Sequence, residues 1–384
     1  MLNHRNTYLL FGGTLEAFIN FRMHLIEHII QQDKTASILC VYFGNTEKRS
    51  IPTNLKSNVE WVSLNGSHIG SPIYDIFPLF KLISLIMAKK PAKIVAFNGK
   101  SIFYIGILKS INIIRADVTA LLEGLGLGFE SLTKSTFRAK FRNAILKRAF
   151  RSIDKWIFLN SHDLELFEKK NLKKTAAPQI CINGIGIDME KFTPSLTAAE
   201  IWDNRSVGFC GRFIKEKGVH IVAETAKIVK SELPDIQFSL AGRTVANVNK
   251  IDLEVVEGWL SSNLINSISF YPDITEFYNQ QSIILLPTTY NEGLPAIAME
   301  CQSLGIPILM NNIPQLQRAV PKELSFHLNE NNDPKIYAEI IIGYFKSFES
   351  FSNASELCKA FASQEFDARK VNEKIFNFIS VSAR

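Results

Sequence analysis

Leu285-Leu286-Pro287-Thr288-Thr289-Tyr290-Asn291-Glu292-Gly293-Leu294-Pro295-Ala296-Ile297-Ala298-Met299-Glu300 reads as the end of one element and the start of another. A short apolar strand, Ser282 to Leu286, breaks at Pro287 and gives way to a polar loop. A helix follows, which Pro295 can occupy early because its missing N–H costs little there. Glu292 lies in the loop and Glu300 about two turns into the helix. A strand, a loop with a carboxylate and a glycine, and a helix N-terminus make a place for an anion, since the first amides are unpaired and the dipole is positive there. A carboxylate further in can reach hydroxyls attached to that anion. Phosphate with sugar hydroxyls describes a nucleotide-sugar. A plain βα unit with one capping and one solvated glutamate fits the same spacing equally well, so a second segment has to decide.

That segment is Gly211-Arg212-Phe213-Ile214-Lys215-Glu216-Lys217-Gly218. It follows the strand Ser206 to Cys210 and precedes a helix from Val219 to Ser231. Arg and Lys at the carboxyl end of a strand suit a diphosphate, the one as a planar fork and the other as a point charge. Around it the alternation continues: strand Ile236 to Ala241, helix Ile251 to Leu260, strand Ser267 to Tyr271, a short helix Thr275 to Asn279, the opening stretch, strand Ile306 to Leu309, and a helix Ile336 to Phe348. A helical tail runs on to about Ile379.

The amino-terminal half repeats the scheme. Strand Tyr8 to Phe11 is followed by Gly12-Gly13-Thr14 and a helical pattern from Leu15 to Ile30. Without G-x-G-x-x-G this is no dinucleotide fingerprint, and the glycines more simply let another molecule approach the backbone. Strands at Ser37–Phe43, Val59–Leu64, Lys93–Phe97, Asp117–Leu122 and Trp156–Leu159 alternate with helices at Ile73–Lys89, Ser101–Lys109, Lys134–Arg151 and Leu164–Lys169. Such alternation predicts a parallel sheet covered on both faces. Glu123, with Gly124-Leu125-Gly126 behind it, falls at a strand's carboxyl end, where ligands of such sheets bind; a capping or solvated loop acid is the other reading. Asn183-Gly184-Ile185-Gly186-Ile187-Asp188 marks a boundary. The fold class expected is α/β, with two Rossmann-like domains facing across a cleft: 1–188, and 189–364, with a tail helix at about 365–384 that can return to the first.

The chain's 384 residues suffice for two or three domains, and 46% hydrophobic with 21% charged residues is a globular composition. A net charge of +6 suits anionic ligands or an anionic membrane and is too modest for nucleic acid. Cys40, Cys181, Cys210, Cys301 and Cys358 form no C-x-x-C pair and read as reduced thiols of a cytoplasmic protein. Met1-Leu2-Asn3-His4-Arg5 leads straight into a strand, so no signal peptide is expected. No apolar run is long enough to span a bilayer. The basic helix 134–151 carries an apolar stripe at 137, 141, 145 and 148–149 that would pack on the sheet. Its basic face is either a solvated surface or a contact with anionic lipid headgroups, peripheral on the cytoplasmic face of the membrane.

Taken together, Gly211-Arg212…Lys217-Gly218 and Glu292-Gly293-Leu294-Pro295…Glu300 resemble the signature of the retaining family-4 glycosyltransferases of GT-B fold. Asn183-Gly184-x-Gly186-Ile187-Asp188…Phe192-x-Pro194 resembles that family's interdomain segment, and Glu300-Cys301-x-x-x-Gly305-Ile306-Pro307-Ile308 its helix-to-strand continuation. Phe18-Ile19-Asn20-Phe21-Arg22 and Glu123-Gly124-Leu125-Gly126 resemble the subgroup that builds bacterial surface polysaccharides on lipid carriers. The resemblance implies transfer of a hexose or N-acetylhexosamine from a nucleotide-sugar, UDP-linked by expectation, to a lipid-linked or oligosaccharide acceptor with retention. It implies that Arg212 and Lys217 hold the diphosphate, with the backbone of Gly211, Gly293, Leu294 and Pro295. Glu292 would contact the transferred sugar, and Glu300 the ribose hydroxyls. Gly12 and Gly13 would let the first domain close on the donor, and Glu123 would position the acceptor. No cofactor besides the donor is implied. The chain contains no Asp-x-Asp, which agrees with metal independence. Two features depart from the pattern: Arg243-Thr244 after Leu240-Ala241-Gly242, and Asn311-Asn312-Ile313-Pro314-Gln315 where a glycine-rich acidic turn is common. Both bear on the donor's identity. A nucleotide-sugar 2-epimerase of similar fold and a non-catalytic nucleotide-sugar-binding scaffold at the membrane remain the alternatives.

Overall fold

A computed structural model describes residues 6–44, 58–65, 76–124, 137–243, 251–290 and 293–382. Glu292, Leu125-Gly126, Thr244 and the expected starts of the helices at Ile73 and Lys134 lie outside the described residues. The chain divides into two compact units, Met1–Ile185 with Ala368–Arg384, and Gly186–Asp367. The division falls three residues before the one read from the sequence, and the returning tail starts at Ala368 instead of 365.

The first unit runs β1 (Thr7–Phe11), α1 (Leu15–Phe21), α2 (Met23–Gln32), β2 (Ser37–Tyr42), β3 (Val59–Ser63), α3 (Ile76–Lys89), β4 (Lys93–Phe97), α4 (Asn98–Ser110), β5 (Asp117–Leu122), α5 (Phe137–Arg151), β6 (Lys155–Phe158), α6 (Ser161–Lys169) and β7 (Gln179–Cys181). Its strands order β3-β2-β1-β4-β5-β6-β7, and every pairing is parallel. Strands buried on both faces must be apolar throughout, and Leu9, Leu10 and Phe11 of β1 are fully buried. Leu82 and Ile86 of α3, Ile102 and Ile105 of α4, Phe150 of α5 and Phe167 of α6 share one core with the sheet.

On the other face lie Phe18 of α1 and Ile26 and Ile29 of α2. The same core takes in Val371, Ile375 and Ile379, which belong to α14 (Ala368–Ser380) of the returning segment. The end of α14 is fixed by two lysines on strand starts. Lys93 Nζ donates to the carbonyls of Ile379 at 2.7 Å and Ser380 at 2.6 Å, and Lys155 Nζ to that of Phe378 at 3.3 Å. These are last-turn carbonyls that the helix cannot itself satisfy. Lys155, 2% exposed, is compensated by Asp117 at 2.9 Å.

Two expectations for this unit change. The single helix Leu15–Ile30 is two helices, because Arg22 leaves helical geometry (φ −124°, ψ −6°) and turns its side chain into the protein. The apolar stripe of α5 does not all pack on the sheet. Ala149 and Phe150 are buried, while Phe141 is 66% exposed, so only the helix's last turns rest on the core. There Gly106 of α4 admits Ala149, whose carbonyl oxygen would lie 2.5 Å from a Cβ at that glycine.

The second unit holds α7 (Ala198–Asp203), β8 (Ser206–Cys210), α8 (Val219–Glu232), β9 (Gln237–Ala241), α9 (Leu253–Ser261), β10 (Ser267–Ser269), α10 (Ile274–Tyr278), β11 (Ile283–Leu286), α11 (Ala296–Ser303), β12 (Ile308–Asn311), β13 (Leu328–Asn329), α12 (Pro334–Lys346) and α13 (Phe348–Glu365). Its sheet orders β10-β9-β8-β11-β12-β13, parallel throughout. The short pieces α7, β7 and β13 carry too few residues to show a period. The helix expected over Ile336–Phe348 ends at Lys346, where the Ser347 hydroxyl caps α13 by accepting from the Ser350 amide at 3.3 Å, and the expected tail is two helices, α13 and α14, parted at Phe366 and Asp367.

Candidate functional site

Each sheet reverses its winding at its middle, between β1 and β4 in the first unit and between β8 and β11 in the second. Loops leaving the carboxyl ends of such a pair diverge and open a crevice. In the second unit those two loops are the segments picked out by sequence.

They are locked together by backbone. Thr289 N–H donates to the Glu216 carbonyl at 2.7 Å, and Thr288 Oγ1 donates to it at 3.2 Å. Gly218 takes the left-handed conformation at φ +76°, and a Cβ there would lie 2.2 Å from the Pro287 carbonyl oxygen. No other residue type fits both demands. A Cβ at Gly242 would come within 2.0 Å of the Gly211 carbonyl oxygen, so the ends of β8 and β9 also touch through bare backbone. From the far side, Asn311 Nδ2 reaches the Thr288 carbonyl at 3.2 Å and Asn332 Nδ2 that of Pro287 at 3.0 Å.

This scaffold brings Arg212 and Lys217 to one place. The Arg212 guanidinium carbon lies 5.2 Å and Lys217 Nζ 5.3 Å from the centre of the Tyr290 ring. Both distances are within cation–π range. Lys217 is 9% exposed, while Arg212 is exposed. Beyond Tyr290 the chain enters α11 through Gly293, Leu294 and Pro295, all buried. Pro295 is the residue before the helix (φ −64°, ψ 138°), and no side chain caps the end. It does not sit inside the first turn as expected, because its extended ψ ends the loop. Glu300 is therefore the fifth residue of α11, little more than one turn in.

Glu300 is held by Tyr278, whose hydroxyl donates to Oε2 at 2.7 Å. Burial pushes the Glu300 carboxyl above the usual range, against the pull of that hydrogen bond and of Lys191. Cys210 is pushed up to about 12 by burial and then by the Glu300 charge, with Lys217 acting the other way. Cation, carboxylate and thiol are thus electrostatic neighbours at the end of β8. Such an arrangement offers positive charge and uncapped amides to a polyanion, with a hydrogen-bond acceptor deeper in for hydroxyls.

The other predicted residues belong to the first unit. Gly12 ends β1. Its carbonyl accepts from Ser101 Oγ at 3.3 Å, and a Cβ on it would meet Phe18 at 2.8 Å. Gly13 faces Asn98 of α4. These two glycines lie at the β1/β4 reversal. Glu123, after β5, pairs with Arg22. Arg22 is 4% exposed, lies 4.5 Å over the Phe97 ring, and is pushed down to about 9 by burial, so it stays charged at neutral pH. Sequence reading named neither this pairing nor the contributions of Tyr278 and Tyr290. Tyr290 stood inside the quoted stretch, and Arg22 inside the Phe18–Arg22 motif, but partners distant in sequence leave no trace in spacing.

Comparison with known proteins places these features. Residues 204–347 match the family described as glycosyl transferases group 1. CapM of Staphylococcus aureus, a capsular polysaccharide biosynthesis glycosyltransferase, is 30% identical over 167 residues, 41% of this chain and 42% of CapM. The UDP-Gal:alpha-D-GlcNAc-diphosphoundecaprenol alpha-1,3-galactosyltransferase of Escherichia coli is 25% identical over 275 residues, 68% of each chain. Matches to the first relatives, CapM among them, span about two fifths of their length. Among solved structures, Anabaena HepE in complex with UDP superposes with a TM-score of 0.73 at 17% identity, covering 97% of this chain and 99% of that one. Residues 204–347 thus form a group 1 glycosyltransferase domain, and the two parallel-sheet α/β units of the chain have the fold of the GT-B glycosyltransferases.

Proposed function

We propose that this protein transfers a hexose or N-acetylhexosamine from a UDP-sugar to a lipid-linked or oligosaccharide acceptor, with retention of configuration, in the assembly of a cell-surface polysaccharide. The observation that carries the proposal is the convergence of Arg212 and Lys217 on Tyr290, at the mouth of α11 and one turn from Glu300. The names of the relatives agree with it. CapM acts in capsule biosynthesis, the Escherichia coli relative moves galactose from UDP-Gal to a diphosphoundecaprenol-linked sugar, and HepE was solved with UDP and with UDP-glucose.

In this reading the diphosphate lies against Arg212, Lys217 and the amides that open α11. The ribose hydroxyls donate to Glu300, which Tyr278 orients. As the bond from the anomeric carbon to the diphosphate oxygen breaks, negative charge grows on the leaving group, and positive charge preset there stabilises the transition state more than the ground state. The acceptor hydroxyl attacks from the face the diphosphate leaves, and its proton passes to a phosphate oxygen. Glu292 holds the transferred sugar. Gly12, Gly13 and Glu123 serve the donor's approach and the acceptor. No metal is required in this scheme, because the two cations supply the charge.

The test is turnover of a panel of UDP-hexoses and UDP-N-acetylhexosamines with a polyprenyl-diphosphate-linked sugar, the product's anomeric configuration being read by NMR. UDP release that depends on the acceptor, with an α-linked product from an α-linked donor, is expected. A free sugar epimer formed without acceptor would move the assignment to an epimerase, and an inverted product would remove the same-face mechanism.

A further inference from the structure

Helix α3 is apolar on two sides. Pro78, Leu82 and Ile86 face the core of the first unit. On its outer side Phe77 is 85%, Phe80 67% and Met87 64% exposed. Positions 77, 80 and 87 recur at helical spacing, so these side chains form one stripe, with Ser84 between them. A helix apolar all round is normally covered on both sides, and an exposed stripe with two phenylalanines calls for a cover.

The charge that this helix layer itself carries is one-sided. Residues 76–116 and 137–151, which include α3, α4 and α5, hold thirteen of the chain's 43 lysines and arginines and none of its 37 aspartates and glutamates. The remaining thirty basic residues are set against all 37 acids, so the rest of the chain is net negative although the whole is +6. The three helices lie on the same face of the sheet. Lys81, Lys90 and Arg115 are exposed near α3, where Lys89 is paired with Glu60 at 2.6 Å, and Lys140, Arg142, Arg148 and Arg151 are exposed on α5, where Phe141 is exposed as well. Beyond Met87 the apolar surface continues into a recess of about 590 Å³ whose lining includes Ile113, Ile114, Lys90 and Arg115.

We infer that this helix layer lies on an anionic lipid bilayer, with Phe77, Phe80 and Met87 of α3 in the headgroup–acyl boundary and the basic residues of α3 and α5 against lipid phosphates. Apolar side chains interleaved with cations and without acids are what such an interface binds. Each cation near an anionic leaflet contributes separately, while the aromatic stripe supplies the part that salt does not screen. Among the described residues no helix is long and apolar enough to cross a membrane, so the contact is with the surface. In a parallel βα unit the helix runs back against the strands, so the start of α3, with Phe77 and Phe80, lies at the carboxyl edge that also carries Gly12, Gly13 and Glu123. A lipid-borne molecule would meet the first unit at that edge. The inference stands on exposure and charge, independently of the transferase reading.

Flotation of the purified full-length chain with vesicles tests it. One set is phosphatidylcholine alone, the other phosphatidylcholine and phosphatidylglycerol in equal parts. The wild type should float with the anionic vesicles and stay behind with the neutral ones, and added salt should weaken but not abolish binding. The variant F77D/F80D should bind anionic vesicles roughly tenfold less or weaker still, and K90E/K140E should also bind less. Both variants change exposed residues, so each should keep the wild-type melting temperature and the wild-type thermal response to UDP, which separates this surface from the nucleotide site. The inference is overturned if the wild type ignores anionic vesicles or if F77D/F80D floats as well as the wild type. It is overturned too if the stripe is buried in a dimer that F77D/F80D dissociates, shown by light scattering.

Discussion

The two units share a strand order across their central reversal but treat charge there in opposite ways. In the first, the cation behind the carboxyl edge, Arg22, is buried and spent on Glu123 within the protein. In the second, Arg212 and Lys217 lean on the neutral face of Tyr290. An ion pair fixes its members, whereas an aromatic face holds an exposed cation such as Arg212 by about 1 kcal/mol, little enough for an incoming diphosphate to take over. The same topology thus yields a rigid edge in one unit and an edge poised for an anion in the other.

The contrast breaks most visibly through Arg212. Arg212→Ala should lower kcat/KM by about a hundred- to a thousandfold with the fold intact, as steady-state rates and a circular dichroism melt would show; a loss under tenfold would mean that Arg212 is not aimed at developing charge. Next in size is Gly218→Ala. With the left-handed backbone and the Pro287 carbonyl in the way, it should cost about 3 kcal/mol of stability and lower nucleotide affinity too, because the two loops part. Equilibrium denaturation and calorimetric titration with UDP read both effects.

Glu300 sharpens the comparison by its pH dependence. Its carboxyl titrates above the usual range because burial disfavours the charge, and the ribose hydroxyls need the carboxylate. UDP affinity should therefore be full above that raised value and fall as pH drops through it, at higher pH than an ordinary carboxyl would give. The ligand-free protein has the opposite sign. Its raised acid favours folding when protonated, so this contribution is lost as pH rises through the same range. Glu300→Gln should flatten the affinity profile and lower affinity about tenfold, the loss of one charged hydrogen bond. The smallest effect belongs to the first unit. Glu123→Gln leaves Arg22 buried beside a neutral amide and should cost about 1–2 kcal/mol of stability, less than a fully buried pair because Glu123 is partly exposed. UDP affinity should not change, and a clear change would erase the division of labour between the units.

Much of this architecture was readable in the chain. Strands such as Tyr8–Phe11 and Ile283–Leu286 are buried on both faces, so an uninterrupted apolar run identifies them. Glycines 211 and 218 with Arg212 and Lys217, and Pro295 with Glu300, are local patterns at the ends of such strands. The break at Arg22 was not legible, because the apolar period continues across it and only the distant Glu123 and Phe97 give the side chain a reason to turn in. Tyr278 and Tyr290 were missed for the same cause: one meets Glu300 across 22 residues, and the other meets cations from a different loop. Phe141 was assigned to the core on spacing alone, which cannot tell a stripe that is covered from one that is not.

The most direct measurement is the thermal shift of the wild type and of Arg212→Ala with UDP. A ligand that binds only the folded state adds about 2.7 kcal/mol at a hundredfold excess over its dissociation constant. A clear rise in the wild-type melting temperature, absent in Arg212→Ala at the same UDP concentration, is the predicted result. An equal rise in both proteins, or none in a folded wild type, would contradict the account.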